Sequence, residues 1–162
     1  MINIYIWTAL LSLLPISELR GGIAFAMANC MPWYIAWPFA AAVNALVAPL
    51  CWLFLSTLNK LFYGSFGWYR TIFDSFVERA RGKLHAGVEK WGVLGVAIFV
   101  AIPLPITGAW TGTIGAWVLG LPKRKTLFAV ILGVFVAGAI VTTVMLLGLS
   151  AFRIFIKTVA AP

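Results

Sequence analysis

Charged residues are scarce in this sequence. Of its 162 residues, 12 are Lys or Arg and 4 are Asp or Glu, so that 10% are charged, whereas 63% are hydrophobic and the mean hydropathy is +1.03. An ordinary soluble domain carries about 25% charged residues. So few charges cannot cover the surface of a folded chain in water. The composition therefore excludes a water-soluble monomer and predicts a membrane protein.

The residues that build metal and catalytic centres are also scarce. The chain has two cysteines and a single histidine, His85, which is too few for a zinc site. It lacks a Ser-His-Asp set, paired buried carboxylates and a phosphate-binding loop. We therefore expect no enzyme activity, no metal ion and no cofactor.

The few charges are clustered. The stretches 21–59, 91–122 and 126–152 contain no Asp, Glu, Lys or Arg, and each is longer than the roughly 20 residues of a membrane-spanning helix. Most of the net charge of +8 lies between them, at 60–90 and 123–125, as the positive-inside rule describes for cytoplasmic loops. Nucleic acid is therefore not an expected partner. We predict a multi-pass protein of the cytoplasmic (inner) membrane, in contact with membrane lipids.

The first apolar segment is too short to cross a bilayer. A helix over 2–14 measures about 20 Å, whereas the hydrocarbon core is about 30 Å thick. The chain must therefore turn back inside the membrane, which predicts a re-entrant helical hairpin over 2–29. The helix-breaking residues at its tip are Pro15, Gly21 and Gly22.

A complete span and an amphipathic segment follow this hairpin. The span is predicted over 33–59, where Pro38 and Pro49 are expected to kink it. Over 60–90 apolar residues recur at helical spacing opposite basic ones. We predict that this segment is a cytoplasmic linker, with an amphipathic helix lying on the membrane surface.

The same succession recurs in the second half of the chain. A short apolar arm is broken and returns, which predicts a second re-entrant hairpin over 91–121, and a second span is predicted over 126–149. The residues that shape the second tip are Pro103, Pro105, Gly108 and Gly112. The predicted parts of this single all-α membrane domain, 1–162, are repeat 1 at 1–59, the linker at 60–90, repeat 2 at 91–150 and a tail at 151–162.

A shift of 90 residues superimposes the two halves, aligning LPIS at 14–17 with LPIT at 104–107. Nine Lys or Arg lie on the side of the 60–90 loop, against Arg153 and Lys157 on the other side, so the loop is predicted cytoplasmic and both termini external. A single span separates the hairpins, so they enter from opposite sides and the repeats are inverted. Inverted repeats with broken helices are typical of transporters that work by alternating access.

The first tip holds Glu18 and Arg20, the only charges among residues 1–59, beside Ser17. An ionisable residue at membrane depth is by default a functional candidate. A carboxylate removed from water can take up and release a proton, and a guanidinium offers a planar fork to a phosphate or carboxylate. We predict that these residues bind substrate and protons. The alternative is an ion pair that only holds the break together.

The second tip is uncharged and rich in hydroxyl groups. Thr107, Trp110 and Thr111 are candidate substrate-binding residues, because hydroxyls and helix N-terminal amides favour anions. Thr113, and Asn44 in the first span, are candidate polar contacts. The alternatives are threonines that bond back to helix carbonyls, a tryptophan that only packs and an asparagine that joins two helices.

The two tips also carry a family resemblance. PISELRGGI at 15–23 followed by PLPITGAWTG at 103–112 resembles the putative small multidrug export protein family over nearly the whole chain. That family is similar in layout to the DedA superfamily, which implies two opposed re-entrant hairpins and a role in moving lipids, including polyprenyl phosphate carriers. By the same resemblance Glu18 looks like the essential acid of the first hairpin and Arg20 like a basic residue of that motif. The second hairpin of DedA proteins has arginines, where this chain has Thr107, Trp110 and Thr111.

Two hypotheses of function follow. The first is a proton-coupled transporter of an amphipathic lipid, most readily a lipid phosphate carrier, whose headgroup lies between the tips. The alternative is a proton/drug antiporter that exports lipophilic cations, in which Glu18 binds drug and proton in turn. A third reading, a membrane assembly subunit that transports nothing, predicts that Glu18→Gln and Arg20→Ala leave activity intact. Protons are the expected coupling ion, and we expect a homodimer.

Overall fold

The chain folds into a bundle of helices. The computed structural model describes residues 2–65, 91–104 and 107–159, and between them the separate positions 67, 71, 73–75, 77, 78, 82 and 88. The helices of this part are α1 (Ile2–Leu13), α2 (Glu18–Ala28), α3 (Trp33–Ala45), α4 (Val47–Ser65), α5 (Val93–Ala101), α6 (Ala109–Val118) and α7 (Lys123–Val159). The described residues form no strand, which confirms the all-helical prediction.

Two short helices precede each of two long apolar stretches along the chain. Two stretches, Trp33–Thr57 and Lys123–Gly148, are long and apolar enough to cross a membrane. By contrast, α1 has 12 residues, which at 1.5 Å per residue is about 18 Å. This length falls well short of a hydrocarbon core of about 30 Å.

A sharp turn at 14–17 makes α1 and α2 a helical hairpin. Pro15 lies in this turn, and because it has no backbone N–H it cannot continue α1. Gly22 then lets α2 pack closely along α1, since a Cβ built on Gly22 would lie 2.0 Å from Oγ of Ser12.

The first long stretch is broken at Leu46, between α3 and α4. Pro49 explains the position of the break, because it offers no N–H to the carbonyl of Ala45 and its ring clashes with that carbonyl. The N–H of Leu46 instead donates to Val43 at 3.2 Å, a 3₁₀-type bond that tightens the last turn of α3. Pro38 lies inside α3 without a break. Of the two predicted kinks, only the one at Pro49 accompanies an interruption of the helix.

The ends of α2 and α6 are built alike. At the end of α2 the N–H groups of Cys30 and Met31 donate to carbonyls three and five residues earlier, and at the end of α6 those of Gly120 and Leu121 do the same, all at 3.0–3.1 Å. These bonds form a Schellman motif, in which one residue is left-handed. That residue is Cys30 (φ 62°) in the first case and Gly120 (φ 71°) in the second. The motif therefore recurs at an offset of 90 residues.

The core is formed by residues of α2, α3 and α4 together with residues of α5, α6 and the first half of α7. Glycines bring α5, α6 and α7 close together: a Cβ on Gly112 would lie 2.5 Å from Cγ2 of Val100, and one on Gly133 would lie 2.7 Å from the backbone of α5. Small residues at helix contacts are typical of membrane bundles. α3 also packs on α7, where Nε1 of Trp37 donates to the carbonyl of Phe135 at 3.2 Å.

Three boundaries differ from the predicted ones. α7 begins at Lys123 rather than 126, because Pro122 ends the preceding turn and its carbonyl accepts the N–H of Thr126 at 3.0 Å. α7 also runs to Val159, past the predicted end of the second span at 149 and through most of the predicted tail. α4 runs to Ser65, past the predicted end of the first span at 59. The predicted surface helix of the linker falls largely outside the described residues.

Candidate functional site

Two connections between helices lie next to each other. The first, the turn at 14–17, joins α1 to α2, and the second, of which 102–104 and 107–108 are described, joins α5 to α6. Hydrogen bonds and close contacts connect residues of the first turn and its flanks to residues of the second. The residues that make these connections, called the tip junction below, are Leu13, Glu18, Arg20, Thr107, Gly108 and Trp110.

Glu18 is the buried acid of the tip junction. Only 6% of the residue is exposed, and its carboxylate lies so close to Gly108 that a Cβ built there would stand 1.6 Å from Oε2. The backbone N–H of Trp110 faces the same carboxylate. Gly108 and Trp110 lie at the N-terminus of α6, where free N–H groups and the helix dipole favour negative charge. A carboxylate from the first hairpin thus occupies the anion position of the second.

The backbone of Glu18 is in a sparsely populated conformation. Its φ is 47°, in the left-handed region that residues other than glycine rarely adopt. Such a conformation costs of order 1–3 kcal/mol and persists only where the surroundings enforce it. Here it turns the chain out of the 14–17 loop into α2 and directs the carboxylate at α6.

Arg20 lies at the edge of the tip junction. Its Nη2 is 3.8 Å from Oε2 of Glu18 and 3.5 Å from the carbonyl oxygen of Thr107. Both distances exceed the roughly 2.7–2.9 Å of a close charge-assisted hydrogen bond. About a quarter of the side chain is exposed, at 24%. The two predicted charges therefore form a loose ion pair, and Arg20 also links the first hairpin to the second through Thr107.

Side chains from three elements cap the C-terminal end of α1. The last carbonyls of a helix have no partner within it, and leaving them unpaired away from water is costly. The three caps are the Ser17 hydroxyl on Leu11, Nδ2 of Asn44 on Ser12 at 2.6 Å and Nε1 of Trp110 on Leu13 at 3.0 Å. Asn44 joins two helices, which is the alternative considered for it. Trp110 joins the second hairpin to the first.

The hydroxyl groups of the second turn and α6 bond to nearby backbone. Oγ1 of Thr107 lies 2.7 Å from the carbonyl of Ile102. Thr111 accepts the N–H of Gly108 at 3.1 Å, and Thr113 donates to the carbonyl four residues before it at 2.6 Å. These three hydroxyls therefore stabilise the turn and the start of α6, as in the alternative reading of the sequence.

The remaining predicted tip residues shape the two turns. A Cβ on Gly21 would lie 2.5 Å from Cβ of Ser17, so this position of α2 has no room for a side chain. Pro15 is exposed in the first turn, whereas Pro103 is partly buried beside Glu18. Pro105 lies outside the described residues.

A small cavity adjoins the Glu18 carboxylate. Its volume is about 10 Å³, which is room for about one water molecule. Ligand pockets for drug-sized molecules measure roughly 300–1,000 Å³. A substrate of that size therefore requires the two tips to separate.

Sequence reasoning missed the apolar walls of this cavity, which are formed by Leu19, Val100, Val134 and Ala137 among other residues. Nothing in their chemistry distinguishes these side chains in so apolar a chain. The offset of 90 residues is a signal that could have found one of them, because Val134 is the counterpart of Asn44.

Comparison with known proteins identifies one family. The family described as "Putative small multi-drug export protein" matches residues 18–140. The matched range begins at Glu18 and contains Arg20, the second turn and all of α6. No curated protein and no solved structure matches the chain.

Proposed function

This chain belongs to the putative small multi-drug export protein family, and we propose that it exports small lipophilic cations across the cytoplasmic membrane in exchange for protons. Glu18 binds the cation and the proton in turn. The observation that carries the proposal is the position of its carboxylate, which is buried where the two helical hairpins meet and adjoins a cavity.

A single carboxylate couples two ligands by exclusion. The ionised group attracts a cation, whereas the protonated group does not, so Glu18 holds either a proton or a cation. Arg20 would oppose a cation at this site if it stayed beside the carboxylate. Its pairing with Glu18 is loose, at 3.8 Å, and its side chain reaches solvent, so it can turn away when a cation binds.

The same geometry gives less support to a lipid phosphate as substrate. An anionic headgroup needs free donors between the tips, and the N-terminus of α6 already faces the carboxylate of Glu18. The hydroxyls of Thr107, Thr111 and Thr113 bond to nearby backbone. Arg20 is then the one predicted donor at the tips without a close partner, and a lone guanidinium beside a carboxylate is a poor anion site.

Contacts at the cavity support inverted repeats. A two-fold relation brings equivalent residues together only near its axis. Three pairs of residues separated by 90 positions line this one cavity: Glu18 with Gly108, Leu19 with Ala109, and Asn44 with Val134. We therefore propose that a pseudo-two-fold axis passes through the cavity and relates two re-entrant hairpins that enter from opposite sides, as in other transporters with inverted repeats.

Opening of the tip junction is the step that admits substrate. The contacts that hold it closed are Glu18 at the N-terminus of α6, Arg20 on the carbonyl of Thr107 and Trp110 on the carbonyl of Leu13. Protonation of Glu18 removes the charge that attracts both Arg20 and the α6 amides. The proton therefore weakens closure from the same site at which it competes with the cation.

We propose the orientation that the basic residues favour. Nine Lys or Arg at 60–90 and 123–125 then face the cytoplasm, and both termini face outward. The first hairpin opens to the outside and the second to the cytoplasm, so that separation of either one exposes Glu18 to one side of the membrane.

Transport by purified protein in lipid vesicles tests this function. With an acidic vesicle interior, addition of tetraphenylphosphonium outside should release protons from the wild-type vesicles as the cation enters. Glu18→Gln keeps the size of the side chain but removes the titratable group, and should reduce this flux to that of protein-free vesicles. Glu78→Gln, at an exposed acid on the linker, is the matched control and should transport as the wild type does.

The alternatives predict other outcomes. Cation-dependent proton flux that survives Glu18→Gln would overturn the role given to this carboxylate. A wild type that moves no cation but moves a lipid phosphate would support the other transport hypothesis. If neither substrate moves in the wild type, and Glu18→Gln and Arg20→Ala only change protein abundance, an assembly subunit is the better description.

A further inference from the structure

A second, larger groove lies away from the tip junction. It has a volume of about 370 Å³ and is lined by the first turns of α5 and the first turns of α7. Its lining residues are Val93, Leu94, Ala97, Arg124, Lys125, Phe128, Ala129 and Leu132. Six of these eight are apolar, and the two that are not are both cationic.

The charges and the apolar walls are arranged in sequence along α7. Arg124 and Lys125 lie in its first turn, Phe128 and Ala129 follow one turn later, and Leu132 follows after another. From 125 to 132 the helix rises about 10 Å. The apolar part of the groove therefore extends about 10 Å along α7, and Arg124 and Lys125 lie at one end of it.

Within the described residues, these two cations have no ion-pair partner. The described part of the chain places no carboxylate in ion-pair contact with Arg124 or Lys125, and both side chains are exposed. The first turn of α7 contains no acidic residue. Their charge is therefore available to a ligand at the head of the groove.

We propose that this groove binds one anionic phospholipid, with its phosphate on Arg124 and Lys125 and part of an acyl chain along Leu94, Phe128 and Leu132. Charge complementarity selects the occupant. A lipophilic cation would be repelled by the two basic side chains, and a zwitterionic lipid would be attracted less. The apolar walls have the chemistry of a hydrocarbon chain, which a small soluble anion lacks. Basic pockets between membrane helices are known to hold such headgroups.

This lipid site does not depend on the transport proposal. Its residues are not those of the tip junction, so Glu18→Gln should bind the lipid as the wild type does. α5 and α7 pack directly on each other, and both contribute residues to the core. An anionic lipid in the groove along these two helices stabilises the folded bundle because it binds the folded state and not the unfolded one.

Thermal unfolding of the purified protein in detergent tests the proposal. Increasing phosphatidylglycerol should raise the unfolding temperature, and an equal amount of phosphatidylcholine should have little effect. Arg124→Gln and Lys125→Gln should each weaken the apparent lipid affinity about five-fold, as expected for one cation near a lipid headgroup. Lys123→Gln is the matched control: it removes the same charge from the same turn but does not line the groove, and should change the affinity less than two-fold.

Four results would overturn the proposal. Equal stabilisation by both lipids would remove the anionic headgroup from it, and an equal loss in Lys123→Gln would reduce it to diffuse surface charge. Stabilisation by glycerophosphoglycerol, which has the headgroup but no acyl chains, would mean that the apolar groove does not contribute to binding. A stabilisation that follows protein concentration rather than lipid would identify a second copy of the chain as the occupant, and would equally contradict the proposal.

Discussion

The carboxylate of Glu18 lies directly against the Cα of Gly108, the residue 90 positions further along the chain. The two positions are equivalent in the predicted repeat, and one carries the buried acid whereas the other carries no side chain. Two side chains would not fit where equivalent positions meet. The asymmetry therefore allows the hairpins to close on a single carboxylate.

Gly108→Ala should prevent this closure. The added methyl group would lie 1.6 Å from Oε2 of Glu18, and overpacking of this kind typically costs about 1–3 kcal/mol of stability. The unfolding temperature and the cation-dependent proton flux should both decrease. Gly148→Ala is the control, because a Cβ there meets nothing within 4 Å and alanine is favoured in a helix. Wild-type stability and flux in Gly108→Ala would contradict the observed contact.

Trp110→Phe should loosen the junction without changing any charge. The variant keeps an aromatic ring but loses the N–H that donates to the carbonyl of Leu13 at 3.0 Å. Loss of one such bond between helices should cost about 1 kcal/mol, seen as a lower unfolding temperature. Trp33→Phe, at an exposed position, should unfold at the same temperature as the wild type. Equal effects of the two substitutions would mean that the hydrogen bond contributes nothing.

Arg20→Gln should separate the two transport hypotheses. Nη2 of Arg20 lies 3.8 Å from Oε2 of Glu18, so a cation bound to Glu18 is repelled by Arg20. Removing this repulsion should strengthen tetraphenylphosphonium binding about five-fold, since a partly exposed charge pair is worth up to about 1 kcal/mol. If the site binds a lipid phosphate, the same variant should lose the attraction for its ligand. Equilibrium dialysis with the labelled cation measures the first effect. Unchanged or weaker cation binding would contradict the proton/cation exchange.

Cys30 reports the predicted orientation in the native chain. It is exposed at the end of α2, whereas Cys51 is buried. In intact cells a membrane-impermeant maleimide should therefore label the wild type, and Cys30→Ser should abolish the labelling.

The position 90 residues after Cys30, which is its equivalent in the predicted repeat, provides the matched test. Gly120 has nearly the same backbone conformation as Cys30, with φ of 71° against 62°, so a cysteine is tolerated there. In a Cys30→Ser background, Gly120→Cys should be labelled only when the cytoplasmic side is opened. Labelling of both positions from one side would contradict the inverted arrangement.

Much of the fold could be predicted because its turns are encoded locally. Pro15 lies in the turn that follows α1 and Pro122 directly precedes α7, positions that suit a residue without a backbone N–H. Charge-free stretches of sufficient length show where spans can lie. The break at Leu46 was harder to place, because Pro49 acts on the carbonyl four residues before it. The bounds of the first span therefore depended on a backbone bond rather than on side-chain pattern.

The candidate site was predicted as a set of residues but not as a set of contacts. Glu18 and Arg20 are conspicuous because charges are rare, and Asn44 and Trp110 because polar groups are rare at such depth. Their partners are mostly backbone groups, such as the carbonyls of Ser12 and Leu13. Side-chain patterns carry no information about which free carbonyl a distant helix approaches, so these contacts needed the structure.

The number of protons released when a cation binds tests the central claim most directly. Titration calorimetry of the purified protein with tetraphenylphosphonium, in two buffers of different ionisation enthalpy, measures this number. Proton/cation exchange at Glu18 predicts a release that approaches one proton per cation at acidic pH and falls as the pH rises. Glu18→Gln should release none. A wild type that binds the cation without proton release at any pH, or a release that persists in Glu18→Gln, would contradict the account.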